Sequence, residues 1–311
     1  MIYKLISNLL EVSIDHPLAN YRNSRFDWTG KISEVKFRGM PLTTTEKPVG
    51  MQEHLFGKGL YNEFSMDTAL GFEEADIGGW FHKIGVGLLQ KDAPEYDFFK
   101  PYKVNPATFV VNKLGEKLII ECISEEINGY AYHLKKVITL NENQLSISYS
   151  LKNTGIKNIN AEEYVHNFLA IKNEPVSPQY QLSFPFQIQE KNFGKTINPD
   201  ELLQFKNNVV EFSRETENQF IVSFLNGEKT VNAKWELIHR SQNIGISETT
   251  SFPSSKINMW GWKHVISPEI FHHLSLKPGE TEEWSRTNSV LNVIKKERKN
   301  FVYLKCIFEL H

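Results

Sequence analysis

Apolar and polar positions alternate with a period of two along most of the chain, and long stretches at helical spacing are missing. Runs of roughly five to ten residues, separated by Gly, Pro, Asn and Asp, predict antiparallel strands. In VITLNENQLSISYSLKNTG (137–155), Leu145, Ile147, Tyr149 and Leu151 form an apolar face, while Gln144, Ser146, Ser148 and Ser150 form a polar one. That strand is expected to have one wet face. Asn128-Gly129, between KLIIECIS and YAYHLKKVITL, suits a tight hairpin turn, and Asn226-Gly227 is expected to do the same between QFIVSFL and TVNAKWELI. The pattern predicts an all-β protein: one large sandwich over residues 1–290 and a C-terminal tail over 291–311. The KKERK cluster of that tail reads as a solvated linker before a short final strand or helix.

Two stretches break the simple pattern. AEEYVHNFLAI (161–171) has the β-branched and aromatic content of a strand, yet it carries Glu162, Glu163, His166 and Asn167. Alternation puts Glu162, Tyr164, His166 and Phe168 on one face and Glu163, Val165, Asn167 and Leu169 on the other, so neither face is wholly apolar. Glu162 and Glu163 are expected at the exposed start of the strand, where one of them can orient the imidazole. The alternative for His166 is a core histidine with both ring nitrogens satisfied. In INMWGWKHVISPEIFHHLSLKPGETEEW (257–284), Pro278-Gly279 marks a turn, with Ser267, Glu269 and Phe271 on one face and Ile266, Pro268 and Ile270 on the other. Glu269 then lies among apolar neighbours near Trp260 and Trp262, where desolvation raises a carboxyl from its ordinary ~4.3 toward the range of a general base. An exposed, inert glutamate at a strand end is the alternative.

Bulk properties narrow the function classes. The chain has 311 residues, 40% hydrophobic and 23% charged, enough to bury a substantial core. A formal net charge of −2 and a pI near 6.6 give no field to hold a polyanion, so nucleic acid is not an expected partner. Cys122 and Cys306 are too few and too far apart for a disulfide framework or a cysteine-based zinc site. No apolar run reaches the ~18 residues of a membrane span, and the N-terminal segment is broken by Lys4, Asn8 and Glu11; a soluble, cytoplasmic protein is the expectation. His264 and the His272-His273 pair invite a metal site, but neighbouring residues of a strand point to opposite faces and cannot share an ion. No metal is expected, and a homodimer stays open.

The run ITLNENQLSISYSLKNTG leading into EEYVHNFLAI, with ISPEIFHHLSLKPGE about a hundred residues later, resembles the aldose 1-epimerase, or galactose mutarotase-like, superfamily. The resemblance covers roughly residues 105–290 and is weak before them. It implies a β-supersandwich of large antiparallel sheets with a concave sugar-binding cleft, His166 as catalytic acid and Glu269 as base. No cofactor is implied. Its implied sugar contacts include His82 after the double glycine of ADIGGWFHKIGVGLL, with Lys83 beside it. Arg25, Asp27 and Trp28 in NYRNSRFDWTG, Asn62 in FGKGLYNEF, and Trp260, Trp262 and Trp80 are further candidates. The family's early Asn-Arg pair and its sugar-binding aspartate have no counterpart here, so the resemblance does not specify the sugar.

The implied reaction interconverts the α and β anomers of a free or modified hexose by general acid/base ring opening. Three alternatives accompany it. One is a catalytically silent carbohydrate-binding protein. Another is a glycosidase using Glu269 with Glu162 or Glu163. The third is a sugar-phosphate epimerase holding phosphate with Arg25, Lys58 or Lys83.

Overall fold

The computed structural model describes residues 1–292 except Val49, Gln52 and Glu53; the linker and final element expected of the tail lie outside the described residues. Strands and bridges account for 53% of the described residues and helix for 3%, so the fold is all-β. A front sheet orders the strands Ile2–Ile6, Leu10–Asp15, Lys31–Phe37, Leu60–Phe64, Ile159–Asn167, Val265–Leu276, Ile257–Trp262, Phe220–Val222 and Thr196–Ile197. A back sheet orders Leu203–Lys206, Val209–Phe212, Tyr180–Ser183, Val231–His239, Ile244–Ser254, Thr281–Asn292, Gln144–Asn153, Tyr132–Asn141, Lys117–Ile123 and Thr108–Leu114. A small third sheet joins Trp80–Lys83, Gly87–Gln90 and Val104–Pro106. No described helix is long and apolar enough to cross a membrane.

Alternation sets the back sheet as expected: Leu145, Ile147, Tyr149 and Leu151 are buried, and Gln144 and Ser148 are exposed. Asn128 and Gly129 both take left-handed φ, 56° and 84°, the geometry of a two-residue hairpin turn. The expected hairpin at Asn226-Gly227 is not formed. Phe220–Val222 pairs with Ile257–Trp262 in the front sheet, whereas Val231–His239 belongs to the back sheet, so this turn carries the chain from one layer to the other. The Asn226 side chain fixes the crossover, donating to the Lys229 carbonyl at 2.7 Å and accepting from the Ile257 amide at 3.0 Å.

The central front strands are covered on both faces. Leu60, Ile159, Val165, Ile270 and Leu274 belong to the main core with residues of the back sheet such as Leu118, Tyr132 and Leu237. A second apolar cluster gathers Tyr21, Phe26, Tyr61, Phe168 and Val265 with Phe81 and Leu89 of the third sheet. This is why AEEYVHNFLAI shows no clean polar face. It also corrects the placing of Glu163, which is fully buried, not exposed at the strand start. Its carboxylate receives Arg286 Nη2 from the back sheet at 2.7 Å and Asn62 Nδ2 at 2.5 Å, while Arg286 Nη1 reaches Glu248 at 2.5 Å. A buried charge needs such partners, since desolvation is otherwise prohibitive.

Candidate active site

The site is written on one face of three adjacent front strands. Tyr164 pairs with Glu63 on one side and Phe271 on the other. Two residues further along the same register, His166 faces Tyr61 and comes level with Glu269. Cross-strand neighbours have touching side chains. His166 Nδ1 lies 2.9 Å from Glu269 Oε1, and its Nε2 lies 3.0 Å from Glu63 Oε2. The imidazole is therefore held between two carboxylates, each on a different neighbouring strand. Ser267 Oγ donates to Glu269 Oε1 at 3.1 Å.

Glu63 is the more tightly held carboxylate. Arg25 Nε donates to it at 3.1 Å, the Tyr164 hydroxyl at 2.8 Å, and Lys83 Nζ stands 3.7 Å from its second oxygen. Arg25 Nη1 reaches Glu46 at 2.9 Å, and Glu46 in turn accepts the Gly57 amide at 2.9 Å. Gly57 leaves room for the rings beside it: a Cβ there would meet Phe168 at 2.5 Å and Phe26 at 2.8 Å. Phe168 stacks flat against the imidazole, with Phe26 edge-on and Tyr164 tilted over it. Phe98 and Phe99 lie against the Arg25 guanidinium, at 5.3 and 4.8 Å from their ring centres.

The charges are set by these contacts. Burial works against an imidazolium at His166, but Glu269 and Glu63 outweigh it and raise the pKa. Burial pushes Glu63 up, yet Arg25, His166 and Lys83 hold it well below the usual carboxylate range. Lys83 is pulled by burial down to about 8 despite Glu63. These contacts favour the charged forms of His166 and Glu63.

The other residues singled out from sequence distribute around this group. Arg25 and Lys83 join it through Glu63. Trp260 is half-buried with its edge toward Phe168, whereas Trp262 packs near His264 and donates to the Glu217 carbonyl at 2.9 Å. Trp28 stacks on Phe109 and donates to the Asn23 carbonyl, and Trp80 lies near Lys103. Asp27 and Asn62 do not face the His166 group. Alternation turns Asn62 away from the Glu63 face, and both residues bond Lys136, which comes from the back sheet, inside the sandwich. His82 is likewise turned away from Lys83 and is fully buried beside the Tyr132 ring.

Two alternatives lose their geometry. Glu163 points into the sandwich, and Glu162, paired with Lys256 at 2.8 Å, lies opposite His273, four residues along the strand from Glu269, so neither faces Glu269 directly. Arg25, Lys83 and Lys58 each already stand beside a carboxylate, at 2.9, 3.7 and 3.7 Å, with which a phosphate would have to compete. The expected open cleft also differs in form: His166 and Glu269 are 6% and 5% exposed and touch one another inside an aromatic surround. His272 and His273 diverge as expected, the first buried beside Glu282 and the second exposed.

Solved structures of the same architecture superpose over nearly the whole chain. A galactose mutarotase related enzyme from Lactobacillus acidophilus covers 94% of this chain and 98% of its own, with a TM-score of 0.58 at 12% identity. This is the galactose mutarotase-like fold. A galactose mutarotase-like protein from Lactobacillus casei ATCC 334 covers 93% of this chain and 100% of its own, with a TM-score of 0.57 at 11% identity. The GalM/aldose epimerase homologue from C. elegans covers 94% and 99%, with a TM-score of 0.55 at 12% identity. No protein-family model and no curated protein sequence matches the chain. Likeness at such low identity is a likeness of fold alone, and the chemistry has to be argued from the His166 group.

Glu63, Glu46 and Tyr164 were not singled out as site residues from the sequence. A signal for Glu63 was present: the polar pair Asn62-Glu63 between Leu60, Tyr61 and Phe64 has the same oddity as His166-Asn167 in AEEYVHNFLAI.

Proposed function

We propose that the protein is an aldose 1-epimerase-like mutarotase that interconverts the anomers of a hexose or related sugar. The observation that supports this most strongly is the 2.9 Å contact of His166 with Glu269, on adjacent strands of a galactose mutarotase-like fold. Ring opening needs a proton delivered to the ring oxygen and another removed from the C1 hydroxyl. Both oxygens are bonded to C1, so an acid and a base side by side on one sheet face can serve them together. The imidazolium of His166 gives its proton to the ring oxygen as the C1–ring oxygen bond breaks. Glu269 takes the hydroxyl proton as C1 becomes a carbonyl. His166 is then neutral and Glu269 is a carboxylic acid; rotation about C1 and closure on the other face return both protons. No metal or organic cofactor is called for.

The sugar replaces the hydrogen bond between the two side chains, with Trp260, Phe98 and Phe99 as apolar surfaces beside its C–H faces. Each well-placed acid or base contributes ~10²–10⁴-fold. Polarimetry or NMR on fresh α-glucose and α-galactose should show equilibration accelerated by wild type and slowed by at least ~10²-fold in His166→Ala and in Glu269→Gln. The closed surround of the pair keeps a second reading in play, that of a sugar-binding protein without activity. Binding without acceleration across a broad aldose panel would decide for it.

A further inference from the structure

The mutarotase reading leaves open which imidazole nitrogen exchanges the proton, since both are hydrogen-bonded. We propose that Glu63 is the positioning residue that keeps a proton on Nε2 of His166, making Nδ1, beside Glu269, the nitrogen that exchanges a proton with the sugar. This rests on the mutarotase reading for its substrate, and on geometry for its assignment.

The two flanking carboxylates differ in freedom. Glu63 is 0% exposed and fixed by Arg25 Nε and the Tyr164 hydroxyl on the same oxygen that faces Nε2. A ligand that displaced it would take from buried Arg25 one of its two carboxylate partners. Among the described residues Glu269 is held by Ser267 and His166 alone, and it is slightly exposed, so it is the one that can turn to a substrate. The hydrogen bond made by one ring nitrogen determines which tautomer the ring adopts. With Nε2–H retained by Glu63, loss of a proton from the imidazolium falls on Nδ1, and the neutral ring that results waits in the correct tautomer to take that proton back.

Arg25 acts on this choice in two opposing ways. Its Nη2 stands 3.3 Å from Nε2, where donation to a bare nitrogen would favour the opposite tautomer. Its other nitrogens, bound to Glu63 and Glu46, keep Glu63 ionised as the stronger partner. The charged groups around the imidazole are then Glu269 from one adjacent strand, Glu63 from the other and Arg25 from the preceding loop, with Lys83 behind Glu63. Tyr164 is the titratable neighbour on its own strand.

Nitrogen-15 NMR of histidine-labelled protein, titrated upward in pH, reads the assignment directly. The neutral His166 ring should carry its proton on Nε2; a proton on Nδ1 would overturn the proposal. In Glu63→Gln the titration midpoint of His166 should fall by roughly one unit or more, and the alkaline limb of kcat should move with it while KM stays within about twofold. An unmoved midpoint also overturns it. If Glu63→Gln fails to fold, Glu63→Asp keeps a charge for Arg25 while drawing the carboxylate back from Nε2, and should give a smaller shift in the same direction. Should wild type accelerate no aldose while the tautomer and the midpoint behave as stated, the reaction falls and the role of Glu63 stands.

Discussion

His82 and His166 are both buried, yet their pKa values move in opposite directions. Burial pulls His82 down to about 4, against the weaker effect of the Ile127 and Tyr130 backbone. Its folded value lies below the unfolded ~6.5, so the unfolded chain binds more protons in between and stability falls as the pH drops through that window. His82→Leu should flatten the dependence. Urea unfolding at pH 7 and pH 5 should show wild type losing about 2 kcal/mol more than the variant, and equal losses would remove His82 as the cause. For His166, with its pKa raised, the contribution is full below the unfolded value and is lost as the pH rises through the folded one. At this scale His166 and Glu269 were legible because a polar residue inside an apolar strand is conspicuous. The choice between Asn62 and Glu63 was not. They are adjacent, and when both faces of a strand are buried, alternation separates them without telling which face holds the site.

Between elements, the long-range ion pairs decide more than strand propensity does. Arg286 reaches from the back sheet to Glu163 of the front sheet and also holds Glu248, which itself accepts Asn167 at 2.9 Å and Trp235 at 3.0 Å. Arg286→Met would leave two carboxylates unpaired in the core. Chemical denaturation should show a loss of about 3–5 kcal/mol, while Lys206→Met, which breaks an exposed pair with Glu211, should change stability by under about 1 kcal/mol. If the two variants lose the same amount, the network is not structural. Strand existence, the hairpin at Asn128-Gly129 and the face assignments around Glu269 followed from local pattern. The crossover at Asn226-Gly227 did not, because the same dipeptide closes a hairpin or a layer change depending on which partners the flanking strands find. Glu163 was misplaced for a related reason: its partner Arg286 is 123 residues away in sequence.

Over the whole molecule, neither large sheet is contiguous in sequence. The front sheet takes strands from Ile2–Ile6 through Val265–Leu276, and the back sheet takes Thr108–Leu114 through Thr281–Asn292, so the chain passes repeatedly from layer to layer. Neither sheet can come apart while the other stays whole. Unfolding followed by far-UV circular dichroism and by tryptophan fluorescence should therefore give coincident transitions, the tryptophans being spread over all three sheets. Two separated midpoints would mean that the layers melt independently.

The acid and base candidates stand level on adjacent strands, two residues beyond the paired Tyr164 and Phe271, so their separation is inherited from the strand spacing of the sheet, ~4.8 Å, and not from any loop. Side chains outside those strands, such as Phe98 and Phe99 against Arg25, can be exchanged while the spacing of His166 and Glu269 stays the same.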